Sequence, residues 1–164
     1  MAVAKMELTC RECGKTFTHR RECHSRAEAD RYEAWAKDNI DLCPDCRRQQ
    51  QREEREAANT KAVAALMDKY GLSLPDITEG TEKQVAYANS LRAEYIAHNS
   101  IAERYCYTVA AMRDEHDRLE REVQKQGKTA EEYWAECINH PQVKVAHIAL
   151  TSTSAPEIID ALKQ

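Results

Sequence analysis

Two short stretches decide how this chain begins to fold: LTCRECGKTF at residues 8–17 and LCPDCRR at residues 42–48. Each holds a C-x2-C pair, Cys10 with Cys13 and Cys43 with Cys46, and 29 residues separate the two pairs. A C-x2-C turn aims two sulfurs at one point, and four thiolates complete a tetrahedron around an ion at about 2.3 Å. Gly14 follows the first pair, where the chain must turn tightly. The spacing therefore predicts a closed structural site with Cys10, Cys13, Cys43 and Cys46 as ligands and Zn2+ as the cofactor. Iron would accept the same four sulfurs.

Seven cysteines, an odd number, do not suggest a disulfide framework. Cys-Pro-Asp-Cys at 43–46 also has the form of a redox pair, but that chemistry needs a βαβ setting that is missing here. Cys23 and His24, between the two pairs, are the possible substitute ligands, with surface or packing roles as the plainer reading. Cys106 and Cys137 fall in helical patterns and read as small buried apolar residues.

With these residues in place, the segment resembles zinc-ribbon modules of bacterial and phage proteins, C-x2-C-G-x-x-F followed by C-x-x-C-R. Cys10, Cys13, Gly14, Phe17, Cys43, Cys46 and Arg47 occupy the matching positions, over about a quarter of the chain. The resemblance implies a metal but no single activity, because such modules serve nucleic-acid, protein and purely structural ends.

Around the module, 164 residues allow one domain or two small ones. Charged residues reach 32%, aromatics only 6%, and mean hydropathy is −0.76. Four Gly and four Pro leave too few turns for a β-sandwich or a Rossmann-type sheet. No apolar run is long enough for a membrane span, and MAVAKMELTC has no apolar h-region. The expected setting is the cytoplasm of a bacterial host cell, with no membrane partner.

Helix signals dominate the rest. Capping-box patterns occur at Ser25–Glu28, Thr81–Gln84, Thr129–Glu132 and Ser154–Glu157. The first opens a helix carrying Tyr32, Trp35 and Ala36. A long helix from Pro44 to Tyr70 is polar in RRQQQREERE and apolar at Val63, Leu66, Met67 and Tyr70, with Asn59-Thr60 as a candidate break. Tyr105, Val109, Met112, His116, Leu119 and Val123 form a 4-3-4-3-4 seam within a helix over 100–126, and an intrachain partner is favoured over a dimer. VKVAHIAL after Pro141 is open between strand and helix. The expected fold is mainly α: a small four-cysteine zinc-ribbon or treble-clef-like module at 1–48 with an inserted helix, a connecting helix and linker at 49–80, and a helical hairpin or bundle domain at 81–164.

LPDITEGTEKQVAYANSLR, residues 74–92, resembles a segment of bacterial and mobile-element proteins, L-P-x-L-x-G-[ST]-x-K-Q-x-x-[WY]-A-x-x-[IL]-R. Leu74, Pro75, Gly80, Thr81, Lys83, Gln84, Tyr87, Ala88, Leu91 and Arg92 carry it, with one extra residue before Gly80. The resemblance implies a mobile-element setting and a helical fold, and Lys83, Gln84, Tyr87 and Arg92 become candidate interaction residues.

No catalytic motif is present: no H-E-x-x-H, G-x-S-x-G, P-loop or GxGxxG. Glu94 and His98 share a face without a second pair to complete a di-iron site. His19 and His24 lie near the module without the partners of a nuclease centre, so a zinc-stabilised nuclease ranks last. Residues 1–48 hold ten Lys/Arg and nine Asp/Glu, whereas 49–164 hold fourteen and nineteen. An acidic helical body beside a metal module gives the leading expectation, a non-enzymatic interaction protein whose partner is a host protein or nucleoprotein complex. Its sharpest form is an inhibitor of host defence, anti-CRISPR-like. The alternative is a nucleic-acid-binding accessory protein with Arg11, Lys15, Arg20, Arg21, Arg47 and Arg48 on phosphates.

Overall fold

A computed structural model describes residues 1–163 apart from Glu115, with the side chains of His116, Arg118, Leu119 and Glu122 outside the description. The fold is mainly helical, with a two-stranded sheet and one cluster of four cysteines. It divides into two compact units, Met1–Arg55 and Glu56–Gln164.

In the first unit, β1 (Ala2–Thr9) and β2 (Thr16–Cys23) pair antiparallel, from Ala2 opposite Cys23 to Thr9 opposite Thr16. Alternation along β1 turns Ala4, Met6 and Leu8 inward and Lys5, Glu7 and Thr9 outward. Helix α1 (Arg26–Asn39) closes over the inner face with Ala29 and Ala36, one heptad apart and fully buried, followed by Ile40. Small residues at the contact let helix and hairpin approach closely, and Phe17 and Tyr32 fill the flanks. Helix α2 (Pro44–Tyr70) starts in this unit, and the unit boundary falls within it. Residues 47–58 are exposed, as their polar run predicts.

In the second unit, the C-terminal part of α2 is joined by α3 (Glu82–His98), α4 (Ser100–Asp114), α5 (His116–Gln124), α6 (Ala130–Asn139), α7 (Pro141–Thr151) and α8 (Ala155–Leu162). One core gathers Met67, Ile96, Tyr105, Cys106, Ala146 and Leu150, with Val63, Leu66, Tyr70 and Trp134 packed against it. A second sits between α3 and α8 around Ala88, Ala155 and Ile158. The stretch 56–80 thus joins these cores rather than hanging as a tether. Thr78 and Glu79 donate to the Thr153 carbonyl at 3.0 and 3.1 Å, and Ala155 donates back to Glu79 at 2.9 Å. Gly80, at φ +123°, runs so close to α8 that an added Cβ would stand 3.0 Å from the Ala155 Cβ.

Several expectations change. Asn59-Thr60 does not break α2: Asn59 is buried and its Oδ1 meets His98 Nε2 at 3.0 Å, while the Thr60 hydroxyl donates to the Glu56 carbonyl. VKVAHIAL is helical, because Pro141 opens α7 and Val143, Ala146, Ala149 and Leu150 fall on one face. Of the seam, Tyr105 and Val123 are buried and Val109 and Met112 half-buried, while His116 and Leu119 lie outside the described side chains. The boxes at Thr81–Gln84 and Thr129–Glu132 are complete. Ser25 caps Glu28, whose carboxylate accepts from the His24 N–H instead of the cap's own. Ser154 makes no side-chain cap, and Glu157 accepts from the Ser152 hydroxyl at 2.5 Å.

Candidate metal centre

The first cysteine pair forms the tip of the hairpin. Cys10 donates its N–H to Lys15 at 2.9 Å, and Gly14 donates to the Cys10 carbonyl at 2.9 Å. Gly14 takes φ +69°, the left-handed conformation that closes this turn. The second pair sits where α2 begins, with Cys43 just before the helix and Cys46 in its first turn. The Arg11 N–H donates to the Asp41 carbonyl at 2.8 Å and thereby ties the two pairs together across the chain. A hairpin tip and a helix N-terminus are the treble-clef-like arrangement within the expected fold. The helix end also favours negative charge on its two sulfurs.

The four sulfurs lie within 4.8 Å of one another. A tetrahedron with arms of about 2.3 Å has edges of about 3.8 Å, and Cys13 Sγ to Cys43 Sγ measures 3.8 Å. All seven cysteines are free thiols, so no disulfide competes for the ligands. Phe17 and Leu42 pack on Cys10 and Cys43 and wall the inner side of the cluster, while Cys13 is exposed. The electrostatics divide the sulfurs. Backbone N–H groups of Cys43, Cys13 and Glu12 hold the Cys10 thiol down to about 6, against the effect of burial. The Cys46 thiol is pushed up, first by hydrogen bonding to Cys43 and then to Cys13 and Cys10, so it ionises against its neighbours. A divalent cation relieves that conflict by coordinating all four sulfurs as thiolates at once, and the donor set fits a metal ion.

Cys23 and His24 do not join. Cys23 is buried in the hairpin–helix core, and exposed His24 gives its backbone N–H to Glu28 at 2.9 Å. His19 Nε2 meets the Tyr32 hydroxyl at 2.9 Å. Among the described residues, no other group of three or more His, Cys, Asp or Glu side chains comes together in this way.

The six basic candidates separate by partner. Arg11 pairs with Asp41 at 2.6 Å and Arg48 with Asp45 at 2.5 Å, whereas Arg21 lies over the Tyr32 ring, 4.4 Å from its centroid. Lys15, Arg20 and Arg47 are exposed. The candidates in residues 74–92 separate too. Arg92 is 3% exposed and donates through Nη1 to the Pro75 carbonyl at 2.8 Å and through Nη2 to the Ser152 carbonyl. Gln84 completes the cap of α3, while Lys83 and Tyr87 face solvent, with Lys163 5.0 Å above the Tyr87 ring. Sequence reasoning placed Tyr32 and Trp35 together on a helix but missed that Trp35 stays half exposed beside Tyr32 and Arg21.

No protein-family model matches this chain, and neither the curated proteins nor the solved structures include a match to it. Among the described residues, no helix is long and apolar enough to cross a membrane.

Proposed function

We propose that this chain is a non-enzymatic interaction protein whose first unit is held together by structural zinc and whose second unit engages a protein or nucleoprotein partner. The observation that carries the reading is the ligand set. Four clustered cysteine sulfurs supply as many ligands as a tetrahedral ion takes, whereas catalytic zinc keeps one position for water or substrate. Four soft thiolates in a closed, redox-silent site favour zinc over the other first-row metals. The acidic balance beyond residue 48 supports a partner with a basic surface. In its sharpest form, the second unit competes for a channel built for nucleic acid, as an inhibitor of host defence would.

The test is affinity capture on the tagged, zinc-loaded chain from bacterial lysate, with and without nuclease, followed by reconstitution with the purified partner. A protein that survives nuclease, and whose binding weakens when Asp68, Glu94 and Asp160, exposed acids of α2, α3 and α8, are reversed to Lys, supports the proposal. Partners recovered only through nucleic acid, or binding indifferent to the reversals, overturn it.

A further inference from the structure

Away from the cysteines, the first unit builds a second surface from β2 and α1. Register places Arg21 and His19 on the hairpin face that α1 covers, opposite Ala4 and Met6. There they meet Tyr32. The Arg21 guanidinium lies 4.4 Å from the Tyr32 ring centroid, and His19 holds the phenol oxygen at 2.9 Å. Three residues along α1, the Trp35 indole follows at a centroid distance of 5.5 Å, tilted 31° to Tyr32. Guanidinium, phenol and indole thus form a continuous chain of contacts, and its outer member is 51% exposed. Arg20 and Lys5 pair on the other face of the hairpin, away from α1, and both are exposed.

Of the four carboxylates of α1, three are turned to other partners and the fourth, Asp38, is exposed. Glu28 accepts from the His24 N–H, Asp30 takes Arg26 at 2.7 Å, and Glu33 accepts from the Lys5 N–H. No ion pair engages Arg20 or Arg21 among the described residues, so their charge is presented to solvent. An exposed ring offers a π-face, and every nucleobase has one to match. Cations beside the ring then meet the phosphates that flank the base. A duplex hides those base faces in its own stack, which leaves the single strand as the occupant.

The geometry points to a binding site for single-stranded nucleic acid on the β2–α1 face, with a base stacked on Trp35 and a flanking phosphate on Arg21. This goes beyond the partner proposed for the second unit and rests only on the first.

The test is fluorescence anisotropy on the full-length, metal-loaded protein with four probes: a labelled 12-mer of single-stranded DNA, the same strand in duplex, an abasic 12-mer and, as competitor, a Glu-rich peptide. Trp35→Ala should weaken the single-stranded 12-mer roughly five- to hundredfold, the range expected for losing one base–aromatic stack. It should leave the abasic strand, which has nothing to stack, unchanged. Trp35→Phe should retain much of the affinity. Arg21→Ala should reduce the slope of log K against log salt by about 0.7, the equivalent of one phosphate on a single strand. Far-UV circular dichroism and metal content identical to the parent show that each variant is folded. The site is overturned if Trp35→Ala weakens abasic and base-bearing strands alike or neither. It is also overturned if duplex binds as well as single strand, if the acidic peptide displaces the strand at equal concentration, or if no strand binds more tightly than about 0.1 mM. Each of these outcomes leaves the second unit's protein partner to be decided by capture.

Discussion

Stripping the metal should unfold Met1–Arg55 while Glu56–Gln164 stays folded. Apart from the cysteine cluster and the Leu42 packed on it, the first unit's buried core is Ala4, Met6, Leu8, Cys23, Ala29, Ala36 and Ile40, so only three of its side chains are large. Burying Met, Leu and Ile contributes roughly 1.5–3 kcal/mol each, or about 5–9 kcal/mol together. A structural zinc in a small module contributes roughly 10–16 kcal/mol of apparent free energy at neutral pH. The metal therefore outweighs the large apolar side chains, and its exposed ion pairs, such as Arg11–Asp41, add little. The second unit's two cores contain none of the four clustered cysteines. Calorimetry of the metal-loaded chain should show a transition that vanishes when a chelator is added, with loss of the far-UV signal of the first unit. In a Trp35→Phe variant, Trp134 is the only tryptophan left, and its packing against Tyr105 at 5.6 Å makes it a reporter of the second core. Its emission should not shift on chelation. A chelated protein, verified metal-free by mass spectrometry, that keeps every transition would refute the reasoning, as would a Trp134 shift that tracks metal loss.

Metal stoichiometry, measured by elemental mass spectrometry, should stay at one per chain in Cys23→Ala and fall in Cys46→Ala, because Cys23 packs in the core and does not reach the cluster. Gly80→Ala should destabilise the second unit by roughly 1–3 kcal/mol in urea unfolding, since it combines a φ of +123° with a 3.0 Å approach to Ala155. Gly14→Ala meets open space and should cost less. Alkaline pH should weaken the second unit through Tyr105, pushed up to about 12, and Cys106, pushed up to about 11, both chiefly by burial. The sign follows from the unfolded chain ionising first. Stability is full below pH 9, then falls as the Cys106 window (9–11) and the Tyr105 window (10–12) are crossed, by roughly 3 kcal/mol for each group. Denaturant titrations at pH 8 and pH 11.5 check it, and equal midpoints would contradict the burial of both groups.

The metal ligands were legible because their geometry is local: two knuckles can be counted off the sequence. So were most helix starts, where Thr81 and Thr129 cap as their spacing requires. The hairpin was not, for its second strand reads TFTHRREC and shows a polar surface rather than clean alternation. What makes it a strand is tertiary: Phe17 and Cys23 reach the core, while Arg21 and His19 are held by Tyr32. Asn59 likewise looked like a helix break because its partner, His98, lies 39 residues away. Polar residues inside a core are settled by distant partners that no window of sequence contains.

The segment at 74–92 shows what this means for function. Read as a motif, its residues resembled an interaction signature. In the fold most of them are spent on structure: Thr81 and Gln84 on a cap, Gly80 on the approach to α8, Ala88 in the core, and Arg92 on the carbonyls of Pro75 and Ser152. Arg92 is especially telling, because its guanidinium joins Pro75, in the segment between α2 and α3, to the end of α7 and is too buried to touch a partner. A recurring pattern can therefore report a way of folding rather than a shared target. Lys83 and Tyr87 are what the segment leaves at the surface. The same subtraction applied to the first unit removes Arg11 and Arg48, each in an ion pair, and leaves Lys15, Arg20, Arg47 and Trp35 exposed, with Arg21 over the Tyr32 ring beside Trp35. The side chains that folding does not consume are the ones a partner can read, and in the first unit Trp35, with Arg21 and Tyr32 beside it, is where an exposed aromatic ring and a cation come together.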